Sequence, residues 1–90
     1  MLAIRRTTQF KKDVKLARKR GRDIGKLKEV LERLVLGESL EVKYRDHALT
    51  GDLEGTRDCH IEPDWLLIYQ LTPDELILIR TGTHADLFRK

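Results

Sequence analysis

Residues 59–65 read CHIEPDW, and within seven positions they hold a thiol, an imidazole, two carboxylates, a proline and the chain's only tryptophan. The two other histidines lie in the same half of the chain, His47 in YRDHALTG and His84 in RTGTH. Imidazoles titrate near neutral pH and are well suited to moving protons. Together with Asp64 and Arg80 they make a sufficient set for cutting RNA. In RNA the 2′-hydroxyl beside each phosphate is a built-in nucleophile. A catalyst needs a base for that hydroxyl, an acid for the departing 5′-oxygen and a cation for the charge that develops at phosphorus. Arginine offers a fork of N–H donors that matches phosphate oxygens. Aromatic rings such as Trp65 and Phe88 can stack on splayed bases. Metal binding is the competing chemistry, and the spacing argues against it. Cys59 and His60 are adjacent, so on a strand they face opposite ways. The chain has no C-x-x-C and no H-x₃-H pair. No metal and no cofactor are expected.

Taken singly, these residues have ordinary structural uses: a surface histidine, a turn aspartate after proline, a core tryptophan, a charge at a strand edge. Their concentration on neighbouring strands carries the functional reading, so the elements matter. LAIR, residues 2–5, reads as a short first strand. TTQFKKDVKLARKRG reads as a helix that Thr7 or Thr8 caps and Gly21 ends. Phe10, Val14 and Ala17 fall on one of its faces, and Lys11, Lys15, Arg18 and Lys19 on another. Asp23 can cap a second helix over about 24–36, with a broad apolar stripe and Gly37 as its stop. TRDCHIE alternates like a half-buried strand. WLLIYQL and ELILIRTG are continuous apolar runs between turn signals, as in strands of a meander. The expected fold is α+β, in the order β-α-α-β-β-β, with two helices on a small, mostly antiparallel sheet. A meander would bring His60, Asp64, Arg80 and His84 together. If the last strand continues far enough, Arg80, Gly82 and His84 share a face.

A chain of 90 residues suffices for one core, so residues 1–90 are read as a single domain. No apolar run approaches the ~20 residues of a membrane span. MLAIRRTTQF lacks the apolar stretch of a signal peptide, and a lone cysteine cannot close an internal disulfide. A cytoplasmic protein without membrane contact is expected. The net charge of +3 is unevenly spread. Residues 5–28 carry eleven Lys and Arg against two Asp, a net of +9, which leaves −6 for the rest. Such a concentration is the footprint of a polyanionic partner, nucleic acid or acidic protein, although a solvated helix face is an equal reading on charge alone.

YRDHALTG, RDCHIEPDWLLIY and RTGTH followed by LF resemble the YafQ-like branch of the RelE/ParE superfamily, the toxins of bacterial type II toxin–antitoxin pairs. KKDVKLARKRG and KLKEVLERL resemble it more weakly, so the similarity spans nearly the whole chain. The resemblance implies a ribosome-dependent mRNA endonuclease that needs no metal, enters the ribosomal A site and is held by a cognate antitoxin. Carried over by motif, the implied catalytic residues are His47, His60, Asp64 and His84. Trp65 and Phe88 match positions that hold or stack the substrate, and Arg80 matches a phosphate contact. On this view Lys11, Lys12, Lys15, Arg18 and Lys19 face rRNA phosphates. The superfamily also holds members that poison DNA gyrase without cutting RNA, and the histidines place this chain with the nucleases. The tail departs from the pattern by adding Arg89 and Lys90 after Phe88, two cations that would suit rRNA contact.

Overall fold

The computed structural model describes residues 1–88; the Arg89–Lys90 tail lies outside the described residues. Strand β1 (Ala3–Arg6) leads into α1 (Thr8–Lys19) and α2 (Ile24–Val35). A loop with two 3₁₀ turns encloses a two-residue β2 (His47–Ala48). Then come β3 (Arg57–Glu62), β4 (Trp65–Leu71), β5 (Glu75–Gly82) and a terminal α3 (His84–Phe88). The five strands form one sheet in the order β1-β5-β4-β3-β2. The β2–β3, β3–β4 and β4–β5 pairs are antiparallel, whereas β1 runs parallel to β5. The α+β architecture is the expected one, with β2 and α3 added.

Helix boundaries follow capping chemistry. The Thr7 hydroxyl accepts the Phe10 N–H at 3.0 Å, and Asp23 accepts the Gly25 N–H at 2.9 Å. Gly21 and Gly37 end the two helices at φ 79° and 76°, where a β-carbon would be strained. Phe10, Ala17, Leu27, Val30 and Leu34 pack against Cys59, Ile61, Trp65, Leu67, Tyr69, Leu76 and Leu78. These strand residues define the helix-facing side of the sheet. The register pairs Asp58 with Ile68 and Ile68 with Arg80, and pairs His60 with Leu66 and Leu66 with Gly82. Those residues define the opposite side, with Leu66 and Ile68 as its buried apolar floor.

Helix α1 continues β1 along the free edge of β5. Thr7 donates its backbone N–H to Leu78 O and its hydroxyl to Ile79 O. Further along, Asp13 is 6% exposed and accepts the Thr81 N–H and two guanidinium bonds from Arg80. Ile79 is the extra residue where the β4–β5 register shifts, a bulge that re-aims this end of β5.

Candidate active site

Three elements deliver the proton carriers. His60 sits on β3, on the side away from the helices. Asp64 lies in the tight β3–β4 corner after Pro63. His84 opens α3. The strand ends at Gly82, so the shared strand face expected for Arg80, Gly82 and His84 stops short of His84, which a helix positions instead.

One oxygen of Asp64 fixes His84 twice. Its Oδ1 accepts the His84 backbone N–H at 2.9 Å and lies 2.6 Å from Nδ1. These two bonds hold the Asp64 carboxyl below its ordinary value. An ionised carboxylate only accepts, so Nδ1 carries the proton and Nε2 is left free. The His60 ring stands edge-on to His84 with centroids 5.4 Å apart. Burial lowers His60 below the ordinary imidazole value, assisted by His84, Arg45 and His47, while Asp58 pulls the other way. His60 and His84 line one groove of about 590 Å³, with Lys26, Lys43 and Arg45 supplying cations. Glu62, also in the groove wall, is taken up by Arg22 at 3.3 Å and Lys26 at 3.0 Å. Arg45 holds a left-handed backbone at φ 49°, a strained conformation of the kind that clusters at functional sites.

His47 is brought near by β2, whose register pairs it with Asp58. Its Nδ1 lies 2.7 Å from the Arg45 carbonyl, and its Nε2 lies 3.8 Å from Asp58 Oδ2. It does not line the histidine groove. Asp46 braces the loop by accepting from the Tyr69 hydroxyl at 2.6 Å and Arg57 Nε at 3.2 Å.

Other assignments change. Trp65 is 1% exposed and belongs to the helix-facing core, where its indole N–H donates to the Thr81 hydroxyl at 2.9 Å. It has no open face on which a base could stack, so the expected stacking role is corrected to a structural one. Arg80 gives Nε–H and one Nη2–H to Asp13 at 3.1 and 3.0 Å. Only its remaining N–H groups are left for a phosphate. The space beside Gly82 is taken by the Asp86 side chain, 3.0 Å from where a β-carbon would lie. Phe88 ends α3 and is half-buried. Lys11, Lys12, Lys15, Arg18 and Lys19 are all exposed along α1, remote in sequence from the histidine half.

Sequence reading missed Asp58. It is 4% exposed, and its Oδ1 is buried without a hydrogen-bond partner. Burial raises its carboxyl above the ordinary value, against the pull of His47, His60 and His84. Its signal was the period-two alternation that it shares with His60. Among the described residues no three His, Cys, Asp or Glu side chains gather as a metal-binding group, and no helix is long and apolar enough to cross a membrane.

A two-helix α+β sheet protein with paired imidazoles, an orienting carboxylate and a cationic groove is the architecture of a small RNA-cleaving toxin. Residues 2–89 match the family described as the bacterial toxin of type II toxin–antitoxin system, YafQ, and the chain belongs to that family. It is 52% identical over 81 residues to the mRNA interferase toxin YafQ of Escherichia coli K12, covering 89% of this chain and 88% of the relative. Its structure is similar to the crystal structure of the E. coli DinJ–YafQ toxin–antitoxin complex, with TM-score 0.91 and 49% identity over 97% of both chains. A metal-bound toxin from Helicobacter pylori is 41% identical with TM-score 0.91, covering 98% of this chain and 100% of that one.

Proposed function

We propose that this toxin is a ribosome-dependent mRNA endonuclease of the cytoplasm, working by acid–base chemistry without a metal. The observation that carries the reading is the His60–His84 ring pair, 5.4 Å apart, with Asp64 fixing the His84 tautomer. His60, lowered by burial, is the base that takes the 2′-hydroxyl proton. The O2′–P bond forms, the P–O5′ bond breaks, and the departing 5′-oxygen receives a proton from Nε2 of a doubly protonated His84, whose Nδ1–H stays hydrogen-bonded to Asp64. Lys26, Lys43 and Arg45 offset charge developing on the phosphate. His47 belongs to the outer part of this constellation, and the free N–H groups of Arg80 offer a further phosphate contact. The exposed cations of α1 face rRNA phosphates, and half-buried Phe88 supports the message. A cognate antitoxin with an acidic segment suits the +9 region.

The deciding experiment is induced expression with mapping of mRNA 5′ ends, with and without stalled ribosomes. Expected are cuts confined to ribosome-bound message, 2′,3′-cyclic phosphate products and no effect of chelator. Growth arrest with intact mRNA would instead mark a gyrase-poisoning toxin. Products bearing a 5′-phosphate, or cleavage at a 2′-deoxy position, would overturn the mechanism. Loss of activity in chelator would overturn its metal independence.

A further inference from the structure

The backbone of His84 is held from a second direction. Thr83 and Asp86 bracket the start of α3 reciprocally: the Asp86 N–H donates to Thr83 Oγ1, and the Thr83 N–H to Asp86 Oδ2, both at 3.0 Å. This is a capping box with Asp in place of the usual Glu or Gln. The same Asp86 carboxylate takes a two-pronged ion pair from Arg20, the residue that caps the end of α1. Arg20 and Thr83 together hold Asp86 down to about 2, so it stays ionised across the physiological range. Gly82 lets the Asp86 side chain approach the β5 backbone, and the seam lined by Asp13, Ala17, Arg20, Trp65 and Gly82 encloses a void of only about 10 Å³. Exposed ion pairs stabilise a fold little. This one is forked and tied to a cap, a geometry that fixes position.

We propose that Arg20 and Asp86 are positioning residues for His84, and that through them the basic helix α1 is mechanically joined to the proton-transfer group. Helix α1 is anchored to β5 at Thr7 and Asp13, and Arg20 at its C-terminal end reaches α3. Arg18 and Lys19, on the exposed face, stand immediately before Arg20. A polyanion seated on that face would therefore steady the terminus that holds α3. Coupling of this kind would let the enzyme work best when docked. This rests on the assignment of His84 as a proton carrier and of α1 as the polyanion-facing element.

The test is single-turnover cleavage of ribosome-bound mRNA by Arg20→Ala, Asp86→Asn and the double variant, with ribosome affinity measured separately. Small displacements of a reacting group cost up to ~100-fold, and a loss of roughly tenfold in rate is expected for Asp86→Asn at unchanged affinity. The double variant should be no worse than the poorer single one, because both break the same link. An unchanged rate in folded Asp86→Asn, a loss expressed only in affinity, or additive losses would each overturn the proposal. The second arm reads the free protein by NMR. In Asp86→Asn the Thr83 and His84 amides and the His84 ring should broaden or shift, while the signals of α2 stay in place. Unmoved His84 signals would sink the link even if the chain proved to cut no RNA, so the two readings fail separately.

Discussion

The two sides of this sheet use the same three strands and satisfy their polar groups in opposite ways. On the helix-facing side Cys59, Trp65, Leu67, Tyr69, Leu76 and Leu78 interlock with α1 and α2. Its buried indole N–H has a partner in Thr81, whose hydroxyl in turn donates to Leu66 O at 2.6 Å. Burial drives the Cys59 thiol far up, so it is an inert core atom rather than a nucleophile. On the other side His60 and Asp58 stand two residues apart on β3, and the Asp58 Oδ1 is left unsatisfied. One side is built for cohesion. The other leaves one buried carboxylate oxygen without a partner near His60, which lines the groove.

The contrast breaks most sharply at His84. His84→Gln keeps a hydrogen-bonding side chain but cannot carry a proton near neutral pH. Loss of a general acid or base costs about 10²- to 10⁴-fold in rate. Cleavage should fall by that amount while the melting temperature stays close to the parent's, since the ring is only half-buried. A cleavage rate near that of the parent would remove His84 from the chemistry.

The mirror-image substitution is Leu67→Ala. Leu67 is fully buried on the helix-facing side, and truncating a core leucine costs about 2–5 kcal/mol. Denaturant unfolding should show that loss, and a change below 1 kcal/mol (well under the ~2 kcal/mol floor) would mean that this side is not the cohesive one. Trp65→Phe is milder. It removes the N–H that satisfies Thr81 and some volume, for about 1–3 kcal/mol. Cleavage by the folded protein should persist. A large loss of substrate binding with unchanged stability would restore the stacking role that burial at 1% speaks against.

Much of this was legible in the chain because the signals are local. WLLIYQL and ELILIRTG are strands at the limits their turns set, and Thr7 and Asp23 cap their helices. The parallel β1–β5 pairing was not legible, since nothing in four exposed residues specifies a partner some seventy positions away. Likewise Arg80 finds Asp13 across a separation of 67 residues. Helix α3 is too short for periodicity, and only its T-x-x-D spacing announces it. The histidine pair was legible in part: the meander sets β3 and the end of β5 on either side of β4, and α3 then brings His84 to Asp64 and His60. Between the core and substrate uses open to Trp65 the sequence did not choose, because aromatic type says nothing of facing, and the register irregularity between His60 and Glu62 lies just before it.

Asp58 offers the smallest effect and the opposite sign. Its folded-state carboxyl value is raised by burial. A raised acid contributes stability below its unfolded value of 3.8, and that contribution is lost as pH rises through the folded value. At neutral pH the ionised side chain is therefore a net cost. His47, at 3.8 Å, together with His60 and His84 offsets it in part, and each attracts only when charged. Asp58→Asn keeps the shape and removes the buried charge. We predict a small rise in stability at neutral pH, because the amide carries no buried charge. The gain should shrink as pH falls and Asp58 itself is protonated. Paired denaturant curves at neutral and at acidic pH read this directly. A destabilised Asp58→Asn at the higher pH would mean that Asp58 is satisfied in solution, and the contrast between the two sides of the sheet would lose its polar half.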